Sequence, residues 1–307
     1  MKRRRFAAGV IAALVILAAG CRPEEKGPES AVDWPATAGG LTLSEAPQKV
    51  AVLSPSLAEI AADMGYADRL CGRAEECDQP AAVAALPSAG SMLLPDLDEV
   101  RSWVPDLVLT QSAPSEATRA LLEQYRIPVA VVPSATTFDE LREVYREVGV
   151  LFEGVVAGER RGDAQFEKLT AALAEVTGRV VSEGAKKKTA AVYIADEYGH
   201  AATGDTVVDR ILTAAGAVNI AAGGTDWTVD FSLLAQTPEV IFCPSALVDT
   251  VKASEALAAS PAVQEGRVYG VDASAMERQG LRIAEAAESI ARLLYPVAFE
   301  EKTTTTP

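Results

Sequence analysis

Short apolar runs followed by helical patterns recur in two separate series along this chain, and that alternation restricts the fold more than any other feature. Runs at 50–53, 106–110 and 129–132 each lead through a turn into apolar residues at helical spacing. Leu57, Ile60, Ala61 and Met64 follow Ser56 in this way; Leu121, Leu122 and Tyr125 form a second set, and Phe138, Leu141, Val144, Tyr145 and Val148 a third. Such alternation predicts a parallel sheet flanked by helices, here a first lobe over 41–148. A second series starts at 190–195, passes a helical pattern at 207–215 and returns to strand-like runs at 240–243 and 268–271. It closes on Ile283, Ala287, Ile290, Ala291 and Leu294 before Pro296, and predicts a second lobe over 187–297.

Between the two series, 150–182 contains no proline, and Phe166, Leu169, Leu173 and Val176 fall on one helical face. One long helix over 149–183 is expected to join the lobes. Gly154, Gly158 and Gly162 count against its early part, since each costs about 1 kcal/mol relative to Ala in a helix interior. An internal echo relates the lobes: 98–109 and 231–242 both run from a short helical pattern into Pro-acidic-apolar-apolar-apolar, at Pro105-Asp106 and Pro238-Glu239. The expected fold class is α/β, with two Rossmann-like lobes built on mostly parallel sheets, held apart by the helix with a solvent-filled gap between them.

The amino terminus carries an address. Lys2, Arg3, Arg4 and Arg5 precede an apolar run too short to span a membrane comfortably, and Leu17-Ala18-Ala19-Gly20-Cys21 ends it. This predicts a lipoprotein signal peptide over 1–21, lipidated at Cys21, with an uncleaved anchor as the alternative. The predicted location is outside the cytoplasm, tethered to a membrane. Segment 22–40, rich in Pro, Gly and Glu, is expected to be a solvated tether reaching roughly 20–25 Å, and 298–307 a disordered tail. Cys71 and Cys77 are near enough in sequence to form a disulfide in an oxidising compartment, or to remain free; Cys243 sits in an apolar run and is expected to be buried.

Charge and residue type exclude several functions. With 28 Lys+Arg against 43 Asp+Glu, a net charge of −15 offers no source of phosphate neutralisation, so nucleic acid is not an expected partner. One histidine excludes a three-His zinc centre, and no Cys-x-x-Cys spacing is present. Gly-x-Ser-x-Gly, Walker and His-Glu-x-x-His motifs are absent as well. The turn at 53–59 is more informative: Ser54 and Ser56 stand where the first strand enters the first helix, at the sheet edge where open α/β folds bind ligands. Helix capping explains one of these serines, and the helix dipole alone accounts for Glu59.

In order and spacing, Gln48 to Glu59, Gly65, Cys77-Asp78-Gln79-Pro80, Pro105 to Leu109, Ile127-Pro128-Val129, Thr203-Gly204-Asp205, Ala215 to Asn219 and 281–296 resemble the substrate-binding lipoproteins of ABC importers for cobalamin, ferric siderophores and haem. The resemblance covers 41–297. It implies two α/β lobes on one stiff connecting helix, a largely preformed cleft, no resident cofactor, no enzymatic activity, and a monomer that hands a metal chelate or corrinoid to an ABC permease. A bare metal ion is disfavoured because family members that bind one use several histidines.

The same resemblance places ligand contacts on loops at the facing edges. In the first lobe these are Ser54, Ser56, Asp78, Gln79, Ser91, Met92, Gln111 and Ser112. In the second they are Tyr198, His200, Trp227, Ser245, Met276, Arg278 and Gln279, with Trp227 foremost because an indole offers a flat face and a rim donor. It also implies permease docking through an acidic residue on each lobe, assigned to Glu59 and Asp230. Two other functions are compatible with the residues: an exported serine-type hydrolase using Ser54 or Ser245 with His200, and a lipoprotein adaptor or sensor whose cleft is closed by its own side chains.

Overall fold

β-Branched and small apolar residues packed from both sides form the centre of each lobe. A computed structural model describes residues 33–182 and 188–300, so the signal peptide, Cys21, residues 22–32 of the tether and residues 301–307 of the tail lie outside the described residues. The first lobe contains β1 (Ala36–Ala38), β2 (Leu41–Leu43), β3 (Val50–Val52), α1 (Pro55–Asp63), β4 (Leu70–Arg73), α2 (Ala81–Ala84), α3 (Leu97–Ser102), β5 (Leu107–Thr110), α4 (Glu116–Gln124), β6 (Val129–Val131) and α5 (Phe138–Glu153). After α6 (Val155–Ser182), the second lobe contains β7 (Thr189–Tyr193), α7 (Val207–Ala214), β8 (Ala217–Asn219), α8 (Phe231–Gln236), β9 (Val240–Pro244), α9 (Val248–Ala253), α10 (Pro261–Gln264), β10 (Val268–Val271), α11 (Ala273–Glu277) and α12 (Arg282–Leu294).

Both sheets are parallel, in the orders β4-β3-β5-β6 and β10-β9-β7-β8. Counted within each lobe, both read 2-1-3-4, so the echo in the sequence reflects one topology used twice. Its recurring carboxylate has a shared task. Asp106 accepts hydrogen bonds from the Gln48 and Lys49 amides at 2.8 and 3.0 Å at the head of β3, and Glu239 accepts from the Ala190 amide at 3.1 Å in β7. Each acid ties the start of the third strand of its lobe to the first.

The connecting element is a helical hairpin. The helix expected over 149–183 breaks at Gly154, whose φ of +84° lies in the left-handed region that glycine tolerates, and α5 turns back along α6. The glycines that weakened the helical reading are where the two helices meet. A Cβ on Gly158 would stand 2.3 Å from the Gly149 backbone, and one on Gly162 would stand 2.6 Å from the Arg146 Cα. Asp33 caps α6: its carbonyl accepts from Val155 N, and its Oδ1 from Val156 and Ala157 N, each at 3.0 Å. The extended strand pair β1–β2 follows at once, with Ala36 and Ala38 buried, so ordered structure begins ahead of residue 41.

Leu169, Leu173, Val176 and Val180 of α6 are buried in an apolar cluster that includes residues of both lobes, so the two cores join along the helix rather than standing fully apart. The outer face of the second sheet has a separate cluster around Val192, Ile194, Ile241 and Cys243. Past Pro296 the chain still packs, with the Phe299 ring 5.6 and 4.8 Å from the Arg179 and Arg292 guanidinium carbons. Cys71, Cys77 and Cys243 are all free thiols. The disulfide expected as one alternative is not formed, because Cys77 is turned into the core with its Sγ 3.8 Å from the Val52 carbonyl. Burial pushes its thiol up to about 12.

Candidate functional site

The 2-1-3-4 order reverses direction between the first and third strands of each lobe, and loops leaving such a switch point bind ligands in open α/β sheets. In the first lobe these loops follow β3 and β5; Ser54 Oγ donates to Gln111 Oε1 at 2.5 Å and joins them. In the second they follow β7 and β9 and contain Tyr198, His200 and Ser245. The carboxyl edges of the sheets face each other, since Arg278, just past α11, reaches the loop that leaves β4. Its Nη1 donates to Glu59 Oε1 at 3.1 Å and Asp78 Oδ1 at 2.5 Å, and its Nη2 to the Glu76 carbonyl at 3.0 Å.

This contact extends along one face of α1. Ser56, Glu59 and Asp63 lie at i, i+3 and i+7 and meet the segment 278–282. Gln279 N donates to Ser56 Oγ at 3.1 Å, Leu281 N to Asp63 Oδ2 at 3.1 Å, and Arg282 lies 3.4 Å from Glu59. Gln279 clasps the Ala135 backbone with its amide, accepting from N at 2.8 Å and donating to O at 2.6 Å. Burial raises the Glu59 pKa despite the two guanidiniums, and raises that of Asp63 to about 6.

Several expected contact residues are therefore structural. Ser54 is fully buried and caps α1; Ser56 and Gln279 are buried in the interlobe contact, and Met276 is buried in the core. Glu59, expected to face the permease, is 2% exposed and bound to two arginines. Asp78, Gln79, Ser112, Tyr198, His200 and Ser245 are exposed, while Ser91, Met92, Gln111, Trp227 and Arg278 are half-buried. Asp230 is exposed and caps α8 through Ser232 N at 2.9 Å.

Trp227 is held unusually. Asp226 and Trp227 both have positive φ, 51° and 59°, in a tight turn closed by two backbone bonds between Thr225 and Thr228. Such strain persists only where the surroundings enforce it. Asp205 Oδ2 accepts from Asp226 N at 2.9 Å, and Thr203 Oγ1 from Trp227 N at 3.2 Å. The indole meets the Tyr193 ring edge-on at 6.5 Å, and Tyr193 Oη donates to Glu277 Oε1 at 2.6 Å.

Sequence reasoning missed Glu76, Glu277, Leu93 and Leu94. Glu76 accepts from Ser91 Oγ at 2.9 Å and Met92 N at 2.8 Å, shaping the loop that exposes Leu93 and Leu94 at 85% and 84%. Beneath that loop is a groove of about 260 Å³ lined by Met92, Thr110, Ser112 and Ser115, among others. An apolar pair between Gly90 and Pro95 is the signal that marks it. Opposite in topology, Tyr198 is 78% exposed beside His200. Of the residues that a serine-type hydrolase would use, His200 Nδ1 pairs with Asp196 at 2.6 Å, Ser54 Oγ donates to Gln111 Oε1, and Ser245 Oγ lies 3.4 Å from the Val271 carbonyl. Among the described residues, no group of three or more His, Cys, Asp or Glu side chains is placed to hold a metal ion.

A family model described as periplasmic binding protein matches residues 50–275. An uncharacterized ABC transporter substrate-binding lipoprotein, YvrC of Bacillus subtilis (strain 168), is 26% identical over 98% of this chain and 100% of its own. Among solved structures, the periplasmic heme-binding protein RhuT from Roseiflexus sp. RS-1 superposes with a TM-score of 0.67 at 20% identity, covering 82% of this chain and 99% of that one. A protein of the ABC-type Fe3+-hydroxamate transport system from Saccharomonospora viridis DSM 43017 gives 0.66 at 23% identity, covering 85% and 99%.

Proposed function

The chain belongs to the periplasmic binding protein family, and from that premise we propose that it captures a metal chelate, a ferric siderophore, haem or corrinoid, between its facing sheet edges and delivers it to an ABC importer. The observation that carries this reading is the pairing of two 2-1-3-4 sheets whose switch-point edges face each other across Arg278. Exposed Leu93, Leu94 and Tyr198, with the strained Trp227, supply the apolar surface that a macrocycle or hydroxamate backbone would cover. The 276–282 segment fixes the lobes at one end, so closure on binding is small.

Lipidation at Cys21 would keep the monomer near the permease and raise its local concentration there. Docking, in this reading, uses exposed carboxylates on both lobes. Asp230 at the start of α8 supplies one. The internal echo sets Asp98 and Glu99, in the first turn of α3, against Phe231 and Ser232, the α8 residues beside Asp230, and so offers exposed carboxylates on the first lobe where Glu59 is buried. Tryptophan fluorescence titrations with haem, aquacobalamin and ferric trihydroxamates test the reading. A saturable change at micromolar ligand that Trp227→Phe diminishes is expected; no saturable response to any of them would favour an adaptor whose cleft is filled by its own side chains.

A further inference from the structure

Resting on the reading above, we propose that the paired edges select metal complexes of zero or positive net charge and turn away those with surplus carboxylates or catecholates. The segments leaving the carboxyl ends of the eight parallel strands are 53–54, 74–80, 111–115, 132–137, 194–206, 220–230, 245–247 and 272–281. Together they contain ten carboxylates, no lysine and one arginine, Arg278.

That arginine is occupied. Glu59, Asp78 and the Glu76 carbonyl take its donors, and its side chain is 16% exposed. An anionic ligand would have to displace Asp78 from it and leave that carboxylate unpaired. The nearest guanidiniums behind it are no freer. Arg282 is bound by Asp272 and Ser274 Oγ as well as Glu59, and Arg73 gives its donors to the Leu86, Ala74 and Glu75 carbonyls. Arg278 and Arg282 offset two of the three charges on Glu59, Asp78 and Asp272, so the third, with Asp196 and Glu277, leaves the field that a guest meets negative. The exposed leucines and Tyr198 supply contact area without offsetting that charge.

The size of the effect follows from the unbalanced unit charges acting within a Debye length of a guest at a partly desolvated edge. Each extra negative charge on a ligand should weaken binding about tenfold or more at low salt, and less as salt screens it. The full chain would be titrated with two matched pairs: ferrioxamine B, which carries a free ammonium, against its N-succinyl carboxylate, and aquacobalamin against a cobalamin with one amide hydrolysed to the acid. Haem and a ferric catecholate complete the set.

The expected result is that, in whichever pair binds, the cationic member binds at least about tenfold tighter. The gap should shrink in 0.5 M NaCl and narrow in Asp196→Asn, at a half-buried position, and in Glu277→Gln, at an exposed one, since in both the amide keeps an acceptor. Equal or tighter binding of the acid member, or tight binding of haem or the catecholate with no binding of the neutral and cationic complexes, overturns the selectivity and leaves the receptor function standing. Failure of every complex overturns that function, and the selectivity with it.

Discussion

Glu59 and Arg278 lie 219 residues apart in sequence and 3.1 Å apart in the fold, joining the first helix of one lobe to the end of the other. Glu59 Oε2 is buried with no hydrogen-bond partner, so its ionised form depends on the arginines. Removing one partner of a buried pair typically costs about 3–5 kcal/mol. Arg278→Ala should lie near the low end of that range, about 3 kcal/mol, because Arg282 remains at 3.4 Å. Urea unfolding measures it, and a loss below about 0.5 kcal/mol would mean that the pair is open in solution.

The same substitution should have opposite signs at two points of α6. Gly178 is exposed with nothing within 4 Å of an added Cβ, so Gly178→Ala should stabilise by up to about 1 kcal/mol through helix propensity. Gly158→Ala would gain the same propensity and still lose about 2 kcal/mol or more, since its Cβ would meet the Gly149 backbone. Thermal unfolding of the two variants side by side would show the divergence.

Asp63 makes stability depend on pH. Burial is the largest cause of its raised pKa, about 6 against 3.8, with Glu59 and Glu285 adding to it and Leu281 N and Lys168 opposing. The native state thus holds this proton more tightly than the unfolded chain, and stability falls as pH rises from about 4 to about 6. Asp63→Asn keeps an acceptor for Leu281 N. It should stabilise the protein at pH 7.5 by about 1 kcal/mol, after allowance for partial exposure, and not at pH 3.5. A gain of equal size at both pH values would show that the carboxylate is not the cause.

Docking and binding should separate. Neutralising Asp98, Glu99 and Asp230 together is expected to reduce uptake by cells several-fold, increasingly at low salt, and to change the chelate Kd of the purified protein far less, Asp230 being one of ten carboxylates at the edges. Loss of chelate binding in the triple variant would place these residues in the ligand site.

Reduction should leave the fold intact. Burial pushes the Cys77 and Cys243 thiols up to about 12 and about 11, and neither is bridged. Tm should be the same with and without dithiothreitol, and a thiol reagent should be slow with the native protein and fast in urea. A fall in Tm on reduction would reveal a disulfide.

Much of the architecture was legible in the chain because it is written locally. Apolar period and turn chemistry along 50–148 and 190–294 specify strands and helices over a few residues, and Pro105-Asp106 and Pro238-Glu239 carry the repeated topology because each acid acts on the strand beside its own. The exposed loop residues Asp78, Tyr198 and His200 could be found for the same reason: they follow strands directly.

What the sequence could not decide was which polar residues face each other across the lobes. Ser56, Glu59 and Gln279 look like capping, dipole and ligand residues one at a time, and become an interlobe clasp only when α1 meets 278–282. Gly158 and Gly162 look like helix breakers until α5 and α6 touch through them. Periodicity reports a residue's own element and the face it occupies. Pairing between elements more than a hundred residues apart depends on the folded packing, where desolvation makes a partner obligatory for a buried charge and closeness makes a side chain impossible.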